Sequence, residues 1–128
     1  MSFEIALTTK TPGITFDTKG GKLTICGRSL PENATDFYRP LFDEIERYKE
    51  SPSSSTTVEL AFEYFNTSTS RIILDIIKSI AWIAQRGKTN LNIDWKYESD
   101  DWDMEDAGNE YKQILSDLKF DVIEVERF

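Results

Sequence analysis

The chain has 128 residues, a length for which one domain over 1–128 with a core of its own is expected. Fifteen basic against 23 acidic residues leave a net charge of −8, which excludes duplex nucleic acid or an anionic membrane as the expected partner. There is no His, and Cys26 is the single cysteine, so His-based triads, His or Cys metal sites and an internal disulfide are excluded, and no metal or cofactor is expected. Asp75 interrupts the longest apolar run well short of spanning length and no signal peptide is evident, so a cytoplasmic chain is expected.

Phe3, Ile5 and Leu7 alternate and predict a short first strand, closed by Thr11-Pro12-Gly13. Ile14 and Phe16, then Leu23 and Ile25, alternate on either side of Thr18-Lys19-Gly20-Gly21, which predicts a β-hairpin with Cys26 as a small buried hydrophobe in its second arm. A loop leads through Pro31-Glu32-Asn33 into a helix marked by Phe37, Leu41, Phe42, Ile45 and Tyr48. Pro40 must lie in that helix's first turn or kink it. Tyr38, Phe42 and Tyr48 are expected in the core.

After Ser51-Pro52-Ser53-Ser54-Ser55, the run from Val58 to Phe65 is mostly apolar and predicts a central strand covered on both sides, with Val58, Leu60, Phe62 and Tyr64 on one face. Asn66-Thr67-Ser68-Thr69-Ser70 follows, five small polar residues. The period then changes: Ile73, Ile76, Ile77, Ile80, Ile83 and Ala84 share one face of a helix, and Arg71, Asp75, Lys78 and Gln85 the other. Gly87 is the expected cap.

Leu91, Ile93, Trp95 and Tyr97 alternate with polar residues in a strand with one wet face. The acidic run 98–106 resembles a calcium loop and fails as one, because Asp106 stands where Gly is needed and Lys112 where Glu is needed. Acidic residues at a helix N-terminus are the better reading. Met104, Ala107, Tyr111, Ile114, Leu115 and Leu118 give a third helix its buried stripe, and 120–125 can form a marginal last strand. Strands alternating with helices behind a hairpin predict an α/β fold, a small mixed sheet with about three helices packed on it.

The hydroxyl cluster between strand and helix lies where open α/β sheets place their sites. Backbone N–H groups at a helix start welcome a cap or a phosphate, so a Thr there is a cap, a phosphoryl acceptor, or both, and physics alone favours the cap. Trp82 stands on the polar stripe, either an exposed binding anchor or covered by a neighbouring element. With Arg71, Asp75 and Lys78 it outlines a candidate docking face beginning beside Thr67. Arg71 could also meet a phosphate.

The segment Glu63-Tyr64-Phe65-Asn66-Thr67-Ser68-Thr69-Ser70, with the apolar helix from Ile72, resembles the phosphoacceptor motif of the SiaC family of bacterial regulatory phosphoproteins. The hairpin from Ile14 to Ser29 and the stretch Leu30-Pro31-Glu32-Asn33 with Phe37-Tyr38-Arg39-Pro40-Leu41-Phe42 agree with it. The resemblance implies a STAS-like fold, similar to anti-sigma-factor antagonists. It also implies that Thr67 is phosphorylated by a dedicated protein kinase and dephosphorylated by a PP2C-type phosphatase. The unphosphorylated form would activate a diguanylate cyclase, raising cyclic di-GMP and promoting biofilm growth. Thr69 stands where the family has Ser, and with Ser68 it adds further candidate acceptors. Asn66, Arg71, Asp75, Lys78 and Trp82 are the candidate partner-binding residues, and Glu32 and Asn33 sit on a loop that a STAS-like fold can bring near Thr67. The rival readings are an anti-sigma-factor antagonist and, more distantly, an enzyme using carboxylate pairs such as Glu59 and Glu63 or the acids around Asp101, a reading weakened by the absence of His and of a phosphate-binding Gly loop.

Overall fold

The computed structural model describes residues 2–128. In chain order the elements are β1 (Ser2–Ile5), β2 (Gly13–Asp17), β3 (Lys22–Ser29), α1 (Ala34–Tyr48), β4 (Ser55–Phe65), α2 (Thr67–Gln85), β5 (Asn90–Glu98), α3 (Trp102–Ile114) and β6 (Lys119–Val125). They build one six-stranded sheet in the order β1-β2-β3-β4-β5-β6. The first three strands are antiparallel and the last four parallel, the expected mixed sheet with three helices. At the β2–β3 turn Gly21 adopts φ 73°, and its N–H closes on the Asp17 carbonyl at 2.8 Å.

Each parallel step, β3 to β4, β4 to β5 and β5 to β6, moves the same way across the sheet. Right-handed crossovers then place all three helices on one face. Ile14, Phe16, Leu23, Ile25, Val58, Leu60, Phe62, Ile93 and Trp95 point into that layer and meet Leu41 and Ile45 of α1 and the isoleucines of α2. No helix covers the other face, so β4 is central in the sheet but lacks the second covering layer the sequence suggested, although Ala61 there is only 7% exposed. Glu59 sits on that open face between Lys96 (3.1 Å) and Lys22 (3.7 Å). Cys26, expected to be buried, is only partly buried there, because the inward parity of β3 belongs to Leu23 and Ile25.

Four further details differ from or complete the sequence expectations, the first through strand register. The pairing of β3 with β4 shifts between Gly27 and Arg28, so Arg28 lies opposite Tyr64 and the bulge turns Tyr64 off the Val58–Leu60–Phe62 face. Tyr64 is 50% exposed with the Arg28 guanidinium 5.8 Å from its ring, while Phe65 takes the inward place. Pro40 lies in the second turn of α1 on its exposed side, where water can take the Asp36 carbonyl it leaves unbonded. Ile114, assigned to the buried stripe of α3, is 59% exposed. The last strand pairs with β5 from Lys119 to Val125 and is not marginal.

Gly108 marks a tight contact. A methyl group added there would press into Cδ1 of Trp95 and lie 2.7 Å from its Nε1. Helix propensity favours Ala over Gly by about 1 kcal/mol. Overpacking costs about 1–3 kcal/mol and wins. Gly108→Ala is therefore expected to lower the urea midpoint, and a higher midpoint would show that α3 can lift off Trp95 at no cost. No helix among the described residues is long and apolar enough to cross a membrane.

Candidate functional site

Thr67 stands at the junction the sequence singled out, and its immediate neighbours divide the hydrogen bonding among themselves. β4 ends at Phe65, and Asn66 remains extended (φ −85°, ψ 173°) before the helix begins. Its N–H donates to the Ser29 carbonyl (3.1 Å), its carbonyl accepts from the Ser70 N–H (3.1 Å), and its side chain accepts from the Thr69 N–H (3.0 Å). Asn66 is thus the N-cap of α2, and Thr67 is released from that work. The cap reading favoured for Thr67 on physics alone is corrected accordingly.

The remaining hydroxyls of the cluster are occupied. Ser68 Oγ donates to Asn66 Oδ1 (3.1 Å), and Ser70 Oγ donates to the Thr67 carbonyl (2.6 Å). Thr69 is fully buried, with Oγ1 2.9 Å from Ser29 Oγ. As folded it offers no hydroxyl to an enzyme, which corrects the expectation of Thr69 as an acceptor. Thr67 is exposed, and its side chain makes no hydrogen bond among the described residues.

Thr67 opens onto a shallow cleft of about 670 Å³ shared by the starts of α1 and α2. Glu32 and Asn33 reach it from the α1 side, a placement the STAS-like reading allowed, and Arg71 and Asp75 from the α2 side. Asn33 is itself the cap of α1, accepting from the Asp36 N–H at 3.1 Å. Two helix starts therefore border one cleft, and each end carries about half a positive charge. Against that, the formal charges lining the cleft are Arg71 opposed by Glu32 and Asp75.

A second groove of about 470 Å³ runs between α2 and α3, with Phe65, Leu74, Ala107 and Ile114 apolar and Arg71, Asp75 and Lys78 on its α2 side. Arg71, Asp75 and Lys78 do share one exposed stripe of α2. Trp82 continues that stripe and is 41% exposed. It lies fifteen residues beyond Thr67, about 22 Å along the helix, outside both grooves. Arg86 Cζ at 3.5 Å and Lys49 Nζ at 4.8 Å flank its ring, a cationic setting that the α2 pattern by itself could not reveal.

The carboxylate alternatives fall at separate places, and of them only Asp101 shares a pocket with other acids, Glu98, Asp100 and Glu126. Glu59 is tied to two lysines on the open sheet face, Glu63 lies exposed at the bulge, and Asp101 caps α3 by accepting from the Met104 N–H at 3.1 Å. What the sequence reading missed is Ser29, buried beneath the site. The available signal was its parity, since Ser29 falls on the inward side of β3 with Leu23 and Ile25.

Tyr38, also fully buried, reaches Ser29 Oγ at 2.7 Å. Burial pushes its phenol from the usual 10 up to about 12, opposed in part by the Ser29 hydrogen bond. Burial, with Glu110 adding to it, also raises Tyr111. A raised phenol favours the neutral folded form, so its contribution is complete below pH 10 and is lost as pH rises towards about 12. For Tyr38 that loss is about 2–3 kcal/mol. Urea midpoints measured at pH 9 and 11.5 should fall less for Tyr38→Phe than for the wild type, and equal falls would refute this origin.

Comparison with known proteins bears on the fold and the family. An uncharacterised protein of Pseudomonas aeruginosa (strain UCBPP-PA14) is 26% identical over 109 residues, covering 85% of this chain and 86% of its own length. A chain in the crystal structure of the diguanylate cyclase SiaD in complex with its activator SiaC, from Pseudomonas aeruginosa, superposes with a TM-score of 0.87 at 24% identity, covering 96% of this chain and 99% of that one. SiaC of Pseudomonas aeruginosa gives 0.82 at 24% identity, covering 98% and 99%. These likenesses establish the fold. The SiaC family model, described as a regulatory phosphoprotein family, matches residues 5–125, nearly the whole chain and all of the hydroxyl junction, and the protein belongs to that family.

Proposed function

We propose that this protein is a phosphorylation-switched activator of a diguanylate cyclase, with Thr67 as the switch. A dedicated protein kinase adds the phosphate and a PP2C-type phosphatase removes it. The unphosphorylated form docks on the cyclase and raises cyclic di-GMP, favouring biofilm growth. The observation that carries the reading is the division of labour at the start of α2: Asn66 caps, Ser68 and Ser70 are bonded, Thr69 is buried, and Thr67 alone keeps a free, exposed hydroxyl. Family membership and the likeness to SiaC support it.

The cleft beside Thr67 suits a contact gate better than a refolding switch. Phosphate there adds about −1.5 to −2 charges beside two carboxylates and one guanidinium. The helix starts tolerate that charge, but a partner closing over it must dehydrate it.

Intact-mass analysis of protein isolated from its host, followed by pull-down with wild type, Thr67→Ala and Thr67→Asp, tests the reading. A phosphate on Thr67, and a cyclase captured by wild type and Thr67→Ala but not by Thr67→Asp, supports it. Capture of an anti-sigma kinase instead would transfer the switch to a partner-switching pathway. A chain without phosphate, or with partners indifferent to residue 67, overturns it.

A further inference from the structure

Ser29 joins three elements at one buried point. Its backbone carbonyl accepts from Asn66 N–H (3.1 Å), and its hydroxyl lies 2.7 Å from Tyr38 Oη of α1 and 2.9 Å from Thr69 Oγ1 of α2. Thr69 Oγ1 in turn lies 3.4 Å from the Ser29 carbonyl. Ser29, Tyr38 and Thr69 are all at 0% exposure. Three hydroxyls bring three protons, and one arrangement uses every one. Tyr38 donates to Ser29 Oγ, Ser29 donates to Thr69 Oγ1, and Thr69 donates to the Ser29 carbonyl.

A relay of this kind tolerates little displacement, because any break leaves a buried hydroxyl without a partner. Its effect on Thr67 follows from helix geometry. At about 100° per residue, positions 67 and 69 are about 200° apart. Pegging residue 69 inward turns residue 67 outward. We propose that Ser29, Tyr38 and Thr69 are positioning residues that select the phosphoacceptor, holding the first turn of α2 so that Thr67 is presented and its neighbouring hydroxyls are withheld. The proposal rests on the assignment of Thr67 as acceptor. It adds the reason why one hydroxyl among four is chosen.

The test uses the full chain as wild type, Thr69→Val, Thr69→Ser and Tyr38→Phe. Hydrogen exchange is read at amides 68–70, with amides 76–80 as an internal reference. Phosphosites are mapped after incubation with ATP and host-cell extract. Losing one bond of the relay is expected to speed exchange at 68–70 about fivefold, with the reference amides unchanged. In Thr69→Val and Tyr38→Phe the phosphate should spread from Thr67 to Ser68 and Ser70, and Thr69→Ser, which keeps the hydroxyl, should restore both readouts. A destabilised core would raise exchange everywhere without redirecting the phosphate. Unchanged exchange at 68–70 in both Thr69→Val and Tyr38→Phe overturns the positioning role, as does phosphate confined to Thr67 in a variant whose turn has loosened. A wild type that takes no phosphate overturns the Thr67 reading instead, and the exchange ratios then decide the positioning role by themselves.

Discussion

Phosphorylated protein is expected to bind a diguanylate cyclase about a hundredfold more weakly than the unmodified form, with its helix content unchanged. The two halves of that expectation have separate causes. Helix content holds because the phosphate would sit at the start of a 19-residue helix already capped by Asn66, beside the start of α1. Dipole and free N–H groups both favour an anion there. Affinity falls because docking over Thr67 strips water from a group of nearly two charges, and one guanidinium against two carboxylates does not neutralise it. A hundredfold corresponds to about 2.7 kcal/mol, a modest share of what burying an unpaired ion costs. Calorimetry and circular dichroism on one phosphorylated sample would separate the halves. Loss of helix signal would indicate refolding in place of gating, and undiminished affinity would place the docking surface away from Thr67.

Much of the architecture was legible because periodicity is local. Most strand and helix positions, the hairpin glycines and the Gly87 cap follow from spacing, although Leu7 lies beyond β1 and Leu118 beyond α3, and Gly87 does adopt φ 72° with its N–H on the Ala84 carbonyl. Layering was not local. A run as apolar as Val58 to Phe65 fits burial on both faces, and only the sheet order, with every crossover stepping the same way, leaves one face open for Glu59 and its two lysines. The Tyr64 error has the same root. A bulge changes parity through the partner strand's register, and the alternation of β4 carries no trace of it.

The site divides along the same line. That Asn66 to Ser70 start a helix was legible, whereas an acceptor among them was implied only by resemblance. Which hydroxyl is free was not, because Thr69 is withdrawn by Ser29, forty residues away in sequence. Ile114 shows the converse. Helical spacing grouped it with Met104 and Tyr111, yet α3 meets the sheet over a narrower arc and leaves Ile114 on the rim of the groove beside α2.

Trp95→Ala is expected to cost about 3–5 kcal/mol, the range for removing a large buried aromatic side chain. Trp95 is at 0% exposure, and its Nε1 donates to the Met104 carbonyl at 3.0 Å, fastening β5 to the first turn of α3. Four aromatic rings surround it: Phe62 and Phe65 of β4 at 6.0 Å, Tyr111 of α3 at 5.3 Å and Phe120 of β6 at 6.4 Å. Such pairs contribute about 0.5–1.5 kcal/mol each beyond area burial, and they are lost together. Trp95→Phe keeps an aromatic ring but loses the indole's bond to the Met104 carbonyl, which keeps its helical partner, so a smaller loss of about 1–3 kcal/mol from that bond and the reduced ring contact is expected. Urea unfolding with an unchanged slope would give both values. The consequence reaches Thr67 through Phe65, whose ring meets Trp95 edge-on two residues before it. Trp95→Ala should therefore speed exchange at amides 65–67 more than at the β2–β3 hairpin on the far side of the sheet. A loss below about 1.5 kcal/mol, or uniform exchange across the two regions, would mean that the surrounding rings collapse into the cavity and that the end of β4 is anchored elsewhere.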